Sequence, residues 1–227
     1  MTDHLVVAQP AGQAKQLMLL FHGMGATAED MRPLGERLAA AYPQACVICV
    51  AAPHPGDYGL GRQWFSTREL TDERRVQRVA DAMPAFLATI REWQAKTGTG
   101  AAETALIGFS QGAIMALECA FTQPGVTARV VSIGGRFARL PETADEGVTL
   151  YLMHGKEDPV VHYGYTVTAA EHLVALGADV VADVLPFAGH EINDDLIELL
   201  LDRLGSHVPR RIWREALAQD GPIVPGE

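Results

Sequence analysis

The sequence predicts an α/β protein in which a mostly parallel central sheet is flanked by helices. Short runs that are apolar on both faces alternate with longer stretches of helical periodicity, the pattern left by a sheet covered on each side. No internal repeat or low-complexity segment interrupts it. At 227 residues, 48% of them hydrophobic, the chain is long enough for one large core and too short for two domains of ordinary size. A single domain over residues 1–227 is expected.

Six strands are expected. Gln16–Phe21 comes first, five apolar residues behind one polar one. Cys46–Ala51, Thr104–Gly108, Val130–Ile133, Thr149–Met153 and Val180–Leu185 follow, each short and mostly apolar on both faces. Helices fill the intervals. Glu29–Tyr42 joins the first two strands. Thr71–Lys96 repeats Val76, Val79, Met83, Phe86, Ile90 and Trp93 at helical spacing. Thr71 is its N-cap, Asp72 and Glu73 suit its first turn, and Pro84 is expected to kink it. Gln111–Phe121, Pro159–Leu176 and His190–Leu204 are the other helices, with a short one over Arg210–Ala218 and a loose tail over Asp220–Glu227. Two connections lack periodicity. Ala51–Leu70 sets Pro53, Pro55, Gly56, Gly59 and Gly61 beside Tyr58, Trp64 and Phe65, and a long loop in a compact domain tends to be functional. Gly134–Gly147 is too short to hold a cap domain.

Charge and cysteine usage exclude several classes of function. Lys and Arg number 18 against 28 Asp and Glu, and a net charge of -10 repels polyanions, so nucleic acid is not expected as a partner. Met1–Ala11 has neither a basic region nor an apolar stretch of signal-peptide length, and the longest apolar run, Cys46–Ala52, is far short of a membrane span. A cytoplasmic location without membrane contact is expected. Three cysteines cannot all pair within one chain. Cys46 and Cys49 form C-x-x-C, but on a buried strand positions three apart point to opposite faces, and no second ligand pair follows to make a zinc site.

The strongest chemical signal is Gly108-Phe109-Ser110-Gln111-Gly112, between an expected strand and an expected helix. That context is the G-x-S-x-G elbow, which lifts a serine oxygen to the carboxyl edge of the sheet. With 22 glycines in the chain, a chance match is expected about 0.04 times, so the motif carries weight. A serine hydroxyl attacks poorly at neutral pH unless a base and a residue orienting that base are supplied, here in the chain order serine, acid, histidine. After Thr149–Met153 come Glu157 and Asp158, and after Val180–Leu185 comes His190. Both follow the carboxyl ends of strands, as Ser110 does. Asp158 is equally suited to capping a helix that begins at Pro159, and Glu157 is a rival carboxylate. His190 is better placed than His162, His172 or His207. An oxyanion hole is expected from the backbone N–H of Gln111, at a helix N-terminus, and that of Met24, in the loop Phe21-His22-Gly23-Met24-Gly25. A metal site from His22, His154 and His190 is not expected, since no H-E-x-x-H is present.

Leu20-Phe21-His22-Gly23-Met24-Gly25-Ala26, Gly108–Ala113, His154-Gly155-Lys156-Glu157-Asp158-Pro159-Val160 and Gly189-His190-Glu191-Ile192 together resemble the phospholipase/carboxylesterase family, the branch of the α/β-hydrolases that includes the acyl-protein thioesterases. The likeness is greatest to its small bacterial esterases and runs from about Leu17 to Leu204. The resemblance implies an α/β-hydrolase fold, Ser110, Asp158 and His190 as nucleophile, acid and base, and Met24 and Gln111 as oxyanion donors. It also marks Trp64 and Phe65, which look like the Trp-Phe pair bordering the acyl site. A carboxylate commonly follows that pair in the family, whereas Ser66 stands here. The expected activity is hydrolysis of carboxylic esters of small or short-chain acyl groups, a small-molecule substrate reached without a cofactor. An acyl thioesterase or lysophospholipase would use the same residues, and a noncatalytic binding module is the distant alternative.

Overall fold

The apolar runs pair into one seven-stranded sheet in a computed structural model that describes residues 4–220, with side chains described for 4–217. Its strands are β1 (Leu5–Ala8), β2 (Gln16–Phe21), β3 (Ala45–Val50), β6 (Thr104–Phe109), β7 (Arg129–Ile133), β8 (Thr149–Gly155) and β9 (Asp179–Leu185), in the order β1-β3-β2-β6-β7-β8-β9. A small hairpin, β4 (His54–Pro55) with β5 (Arg62–Gln63), stands apart. Every pairing in the large sheet is parallel except β1 with β3, at the edge. The six strands expected from the sequence are present, and β1 is the seventh.

Parallel strands need crossovers, and helices supply four of them: α1 (Arg32–Ala41), α2 (Asp72–Thr97), α3 (Gln111–Thr122) and α4 (Gly164–Ala175); the crossover from β7 to β8 is a loop, and α5 (Asp194–Ser206) and α6 (Arg210–Asp220) follow β9. The sheet divides the core in two. Leu17, Leu19 and Phe21 join residues of α2, α3 and α4 in one cluster, while Met18 and Leu20 join Leu34 and Leu38 of α1 and Leu196 and Leu200 of α5 in the other. Cys46 and Cys49 fall in opposite clusters, as the strand geometry requires. Among the described residues, no helix is long and apolar enough to cross a membrane.

Three helix starts differ from the sequence reading, and each shift has a local cause. Glu29–Tyr42 divides into a 3-10 turn, Ala28–Met31, closed by a capping box between Thr27 and Asp30, and then α1. The expected helix from Pro159 begins five residues later, because Asp158 Oδ1 accepts the N–H groups of Val160 and Val161, both at 2.8 Å, in a turn that goes no further. The expected helix from His190 begins at Asp194, where Asn193 is the cap and accepts the Leu196 N–H at 2.9 Å. His190 therefore lies in a loop. α2 runs unbroken through Pro84, capped by Thr71, which accepts from the Arg74 N–H at 3.2 Å. Of the expected tail, residues 221–227 lie outside the described ones.

All the parallel strands end at one edge, so the segments after β2, β6, β8 and β9 converge there. α3, buried along nearly its whole length, packs against β6 and β7 beneath that edge. Its start comes so close to β2 that a Cβ on Gly112 would overlap the backbone carbonyl of Phe21. Gly112→Ala should cost about 3 kcal/mol or more, since backbone rather than a flexible side chain must yield. Denaturant unfolding measures it, and a loss under about 1 kcal/mol would show that α3 can withdraw from β2 without penalty.

Candidate active site

Ser110 occupies the turn between β6 and α3 at φ 52°, ψ −114°, a conformation an L-residue adopts only under constraint. Its backbone is tied down at both ends. The N–H donates to the Ile133 carbonyl at 2.9 Å, and its carbonyl accepts from Ala113 and Ile114 at 3.1 and 3.2 Å. The strain turns Oγ toward the loop after β9, where His190 Nε2 lies 2.9 Å away. His190 Nδ1 is in turn 2.6 Å from Asp158 Oδ2. The partner of Nδ1 is a carboxylate oxygen, so Nδ1 carries the proton, and Nε2 is left to accept from the Ser110 hydroxyl. Phe109 lies against the ring at 4.9 Å between centroids.

The loops carrying Asp158 and His190 are joined through their backbones. Lys156 donates to Leu185 O and Glu157 to Ala188 O, each at 2.9 Å. The approach requires Gly155, where a Cβ would overlap the carbonyls of Ala188 and Gly189. Glu157 itself is exposed, and Asp158 is the carboxylate that meets His190. Asp158 has no exposed side-chain surface. Burial works to raise its pKa, but hydrogen bonds from Val161, His190 and Val160 outweigh that and hold the carboxyl below its ordinary range.

A second histidine, which the sequence reading did not connect with the acid, closes round Asp158. His154 is fully buried, with Nε2 2.8 Å from the Val161 carbonyl and 3.2 Å from Asp158 Oδ2. Both neighbours of Nε2 are acceptors, so it holds the proton, and Nδ1 accepts from the Thr166 hydroxyl at 2.8 Å. Burial lowers the pKa of His154 and keeps the ring neutral. His22 is spent in the same manner: Nδ1–H donates to Gly23 O at 2.7 Å and Nε2 accepts from the Ala52 N–H at 3.1 Å. Among the described residues no group of three or more histidine, cysteine, aspartate or glutamate side chains is arranged to hold a metal ion.

Ser110 opens onto a cavity of about 290 Å³ whose wall includes Met24, Phe65, Gln111, Ile114 and Val161. Neither the Met24 N–H nor the Gln111 N–H donates to a protein acceptor among the described residues. The Gln111 side chain has a separate task that the sequence did not reveal. Its Oε1 accepts the Trp64 N–H and its Nε2 donates to the Phe65 carbonyl, both at 2.8 Å. The residue after Ser110 thus clamps the backbone of the Trp-Phe pair. Phe65 lines the cavity, but Trp64 is core: it packs on Phe21 and Phe86, and its indole N–H donates to the His22 carbonyl at 2.8 Å.

Asp57 holds the long loop from the other side. Its carboxylate accepts from Gln63 Nε2 at 2.8 Å, Ser66 Oγ at 2.8 Å and the Thr67 N–H at 2.7 Å. Hydrogen bonds from Gln63, Ser66 and Thr67, with Arg68 nearby, hold its pKa at about 2. Ser66, which follows the Trp-Phe pair, donates its hydroxyl to the Asp57 carboxylate. The cysteines take no part. All three are free and buried, and burial pushes Cys49 and Cys119 up to about 12, so they remain protonated thiols at neutral pH.

A mostly parallel sheet with a strained serine at the strand-to-helix elbow, and histidine and aspartate presented by later loops, defines an α/β-hydrolase. The chain belongs to the phospholipase/carboxylesterase family, whose pattern matches residues 2–207. It is 43% identical over 220 residues to "Esterase YpfH" of Escherichia coli K12, covering 97% of this chain and 95% of that one. The crystal structure of esterase PE8 superposes with a TM-score of 0.78 at 28% identity, covering 91% of this chain and 98% of that one. A carboxylesterase from Mesorhizobium loti shares the fold at a TM-score of 0.72 and 20% identity, covering 86% and 90%.

Gln111→Leu keeps the backbone N–H but strands the buried Trp64 N–H and Phe65 carbonyl. At about 1–3 kcal/mol for each unsatisfied group it should destabilise the fold measurably in urea, and an unchanged midpoint would show that the clamp is dispensable. Asp57 has a lower pKa folded than unfolded. Its stabilisation is therefore complete above the unfolded value of about 4 and disappears as pH falls toward 2. Asp57→Asn should flatten the loss of thermal stability over that window, and a wild-type slope in the variant would contradict the assignment.

Proposed function

We propose that the protein is a serine carboxylesterase, one domain working in the cytoplasm on small-molecule esters with small or short-chain acyl groups. The observation that carries the proposal is the continuous hydrogen-bonded line from Ser110 Oγ through both nitrogens of His190 to Asp158. Ser110 Oγ bonds to the ester carbonyl carbon as its proton passes to His190 Nε2. Asp158 fixes the tautomer and stabilises the imidazolium. The charge that develops on the carbonyl oxygen is met by the Met24 and Gln111 N–H groups, which have no competing protein acceptor. His190 then returns the proton to the leaving alcohol, and a water molecule, deprotonated by the same histidine, releases the acid from Ser110.

Substrate size follows from the cavity. About 290 Å³ is at the lower end of small-molecule sites, which favours short acyl groups. Phe65 forms part of its wall, and Trp64 supports that wall from the core. No residue in this scheme calls for a cofactor.

Ser110→Ala should lower kcat on p-nitrophenyl butyrate by about 10³–10⁶-fold, and Asp158→Asn by about 10⁴-fold. A fluorophosphonate should label the wild type once per chain and fail to label Ser110→Ala. Acyl thioesters of the same chain length, run alongside, show which leaving atom is preferred. Ester hydrolysis that persists in Ser110→Ala would overturn the mechanism, and a wild type inert to both substrates and label would make the fold a binding module.

A further inference from the structure

Two arginines stand in the wall of the cavity that holds Ser110, and among the described residues no carboxylate does. Arg75 comes from the first turn of α2 and Arg136 from the connection after β7, with side chains only 16% and 15% exposed. Both reach the same acceptor, Asp72 Oδ1, Arg75 through Nη1 and Arg136 through Nη2 at 3.2 Å. Asp72 is 71% exposed and lies outside the wall. Among the described residues no other carboxylate pairs with either arginine, so one carboxylate is shared by two guanidiniums and two like charges are held side by side. A pair serving only to hold the loop to α2 would need one arginine, not two. The excess runs against the field of a molecule whose net charge is -10, so it belongs to this site.

The arginines are also built to receive something planar and anionic. Arg136 is held in orientation, its Nε donating to the Phe137 carbonyl at 3.3 Å and its guanidinium carbon 3.9 Å over the Tyr165 ring. Among the described residues, Arg136 Nη1 and Arg75 Nε and Nη2 have no protein acceptor. Guanidinium N–H groups that are fixed, unspent and bordered by an apolar wall match the geometry of a carboxylate. We propose that the site selects esters bearing a second, anionic group, a carboxylate held by Arg75 and Arg136 while the ester carbonyl meets Ser110. This deepens the carboxylesterase reading and rests on it.

The test compares p-nitrophenyl hydrogen glutarate with neutral p-nitrophenyl valerate for an anion on the acyl side, and 3-acetoxypropanoate with propyl acetate for one on the alcohol side. Rates measured with Ser110→Ala supply the background. In the wild type the anionic ester of at least one pair should be favoured in kcat/KM by about tenfold or more, mainly through KM. That ratio should shrink as salt is added. In Arg75→Gln/Arg136→Gln it should fall to about one, with stoichiometric fluorophosphonate labelling as the control for folding. Arg75→Glu should reverse the preference. Free glutarate should raise the melting temperature of the wild type and not of the double variant, a readout that survives even if no ester is turned over. Hydrolysis of the neutral esters with no anionic preference in either pair overturns this inference and leaves the esterase intact. Stabilisation by glutarate without hydrolysis of any ester overturns the esterase reading, and ester selection with it, and leaves only an anion site at Arg75 and Arg136. If the double variant does not fold, the wild-type ratio and its salt dependence decide alone.

Discussion

An ionised carboxylate with no exposed surface is among the most costly groups a protein can hold, and the carboxyl edge of this sheet is organised round one. Asp158 lies within hydrogen-bonding distance of four N–H donors: the backbone of Val160 and Val161, His190 and, at longer range, His154. Each donor imposes a condition on the fold. The two backbone donors require a tight turn after residue 158, which defers α4 to Gly164. The His190 contact requires the loops after β8 and β9 to touch, which is why Gly155 has no room for a side chain. His154 requires Thr166 on α4 to hold its far nitrogen. Orientation of the histidine that faces Ser110 is thus a consequence of solvating one buried charge with protein dipoles.

The serine side is held by a different device. Ser110 keeps an unfavourable backbone conformation because its N–H and carbonyl are fixed by β7 and α3. The next residue extends that rigidity outward. Gln111 bonds the backbone of Trp64 and Phe65, Trp64 bonds the backbone of His22, and His22 bonds Gly23 and Ala52. One hydrogen-bonded path therefore runs from the elbow through the long loop to the segment carrying Met24. The long loop is a fixed wall of the site on this account, closed on its outer side by Asp57.

What could be read from the sequence divides along the same physical line. Mostly apolar strands announce themselves by composition, so the six parallel strands were legible to within a residue or two. β1 was not: it is an apolar run of only four residues, three half-buried and Val6 exposed, paired with a single neighbour. The order serine, acid, histidine was legible because chain order and strand ends are one-dimensional facts. The choice between Glu157 and Asp158 was not, since adjacent residues differ only in which way they face. Trp64 and Phe65 pose the same problem: one enters the core and the other meets the cavity. The reach of Gln111 to residues 46 and 47 positions away, and the gathering of Gln63, Ser66 and Thr67 on Asp57, depend on side chains crossing space, and no local spacing encodes that.

The charge distribution shows why local geometry outranks composition in reading such a site. A net charge of -10 correctly disfavours a polyanion spread over the surface, because that interaction sums over the whole molecule. It says nothing about a single carboxylate entering a cavity. There the distances are a few ångströms, screening by salt is weaker, and two guanidiniums with one shared partner outweigh acidic residues more than a Debye length away. An acidic protein can keep an anion-seeking pocket provided its arginines are bound to the scaffold firmly enough not to turn outward to the surrounding carboxylates. Asp72, Phe137 and Tyr165 provide that restraint here.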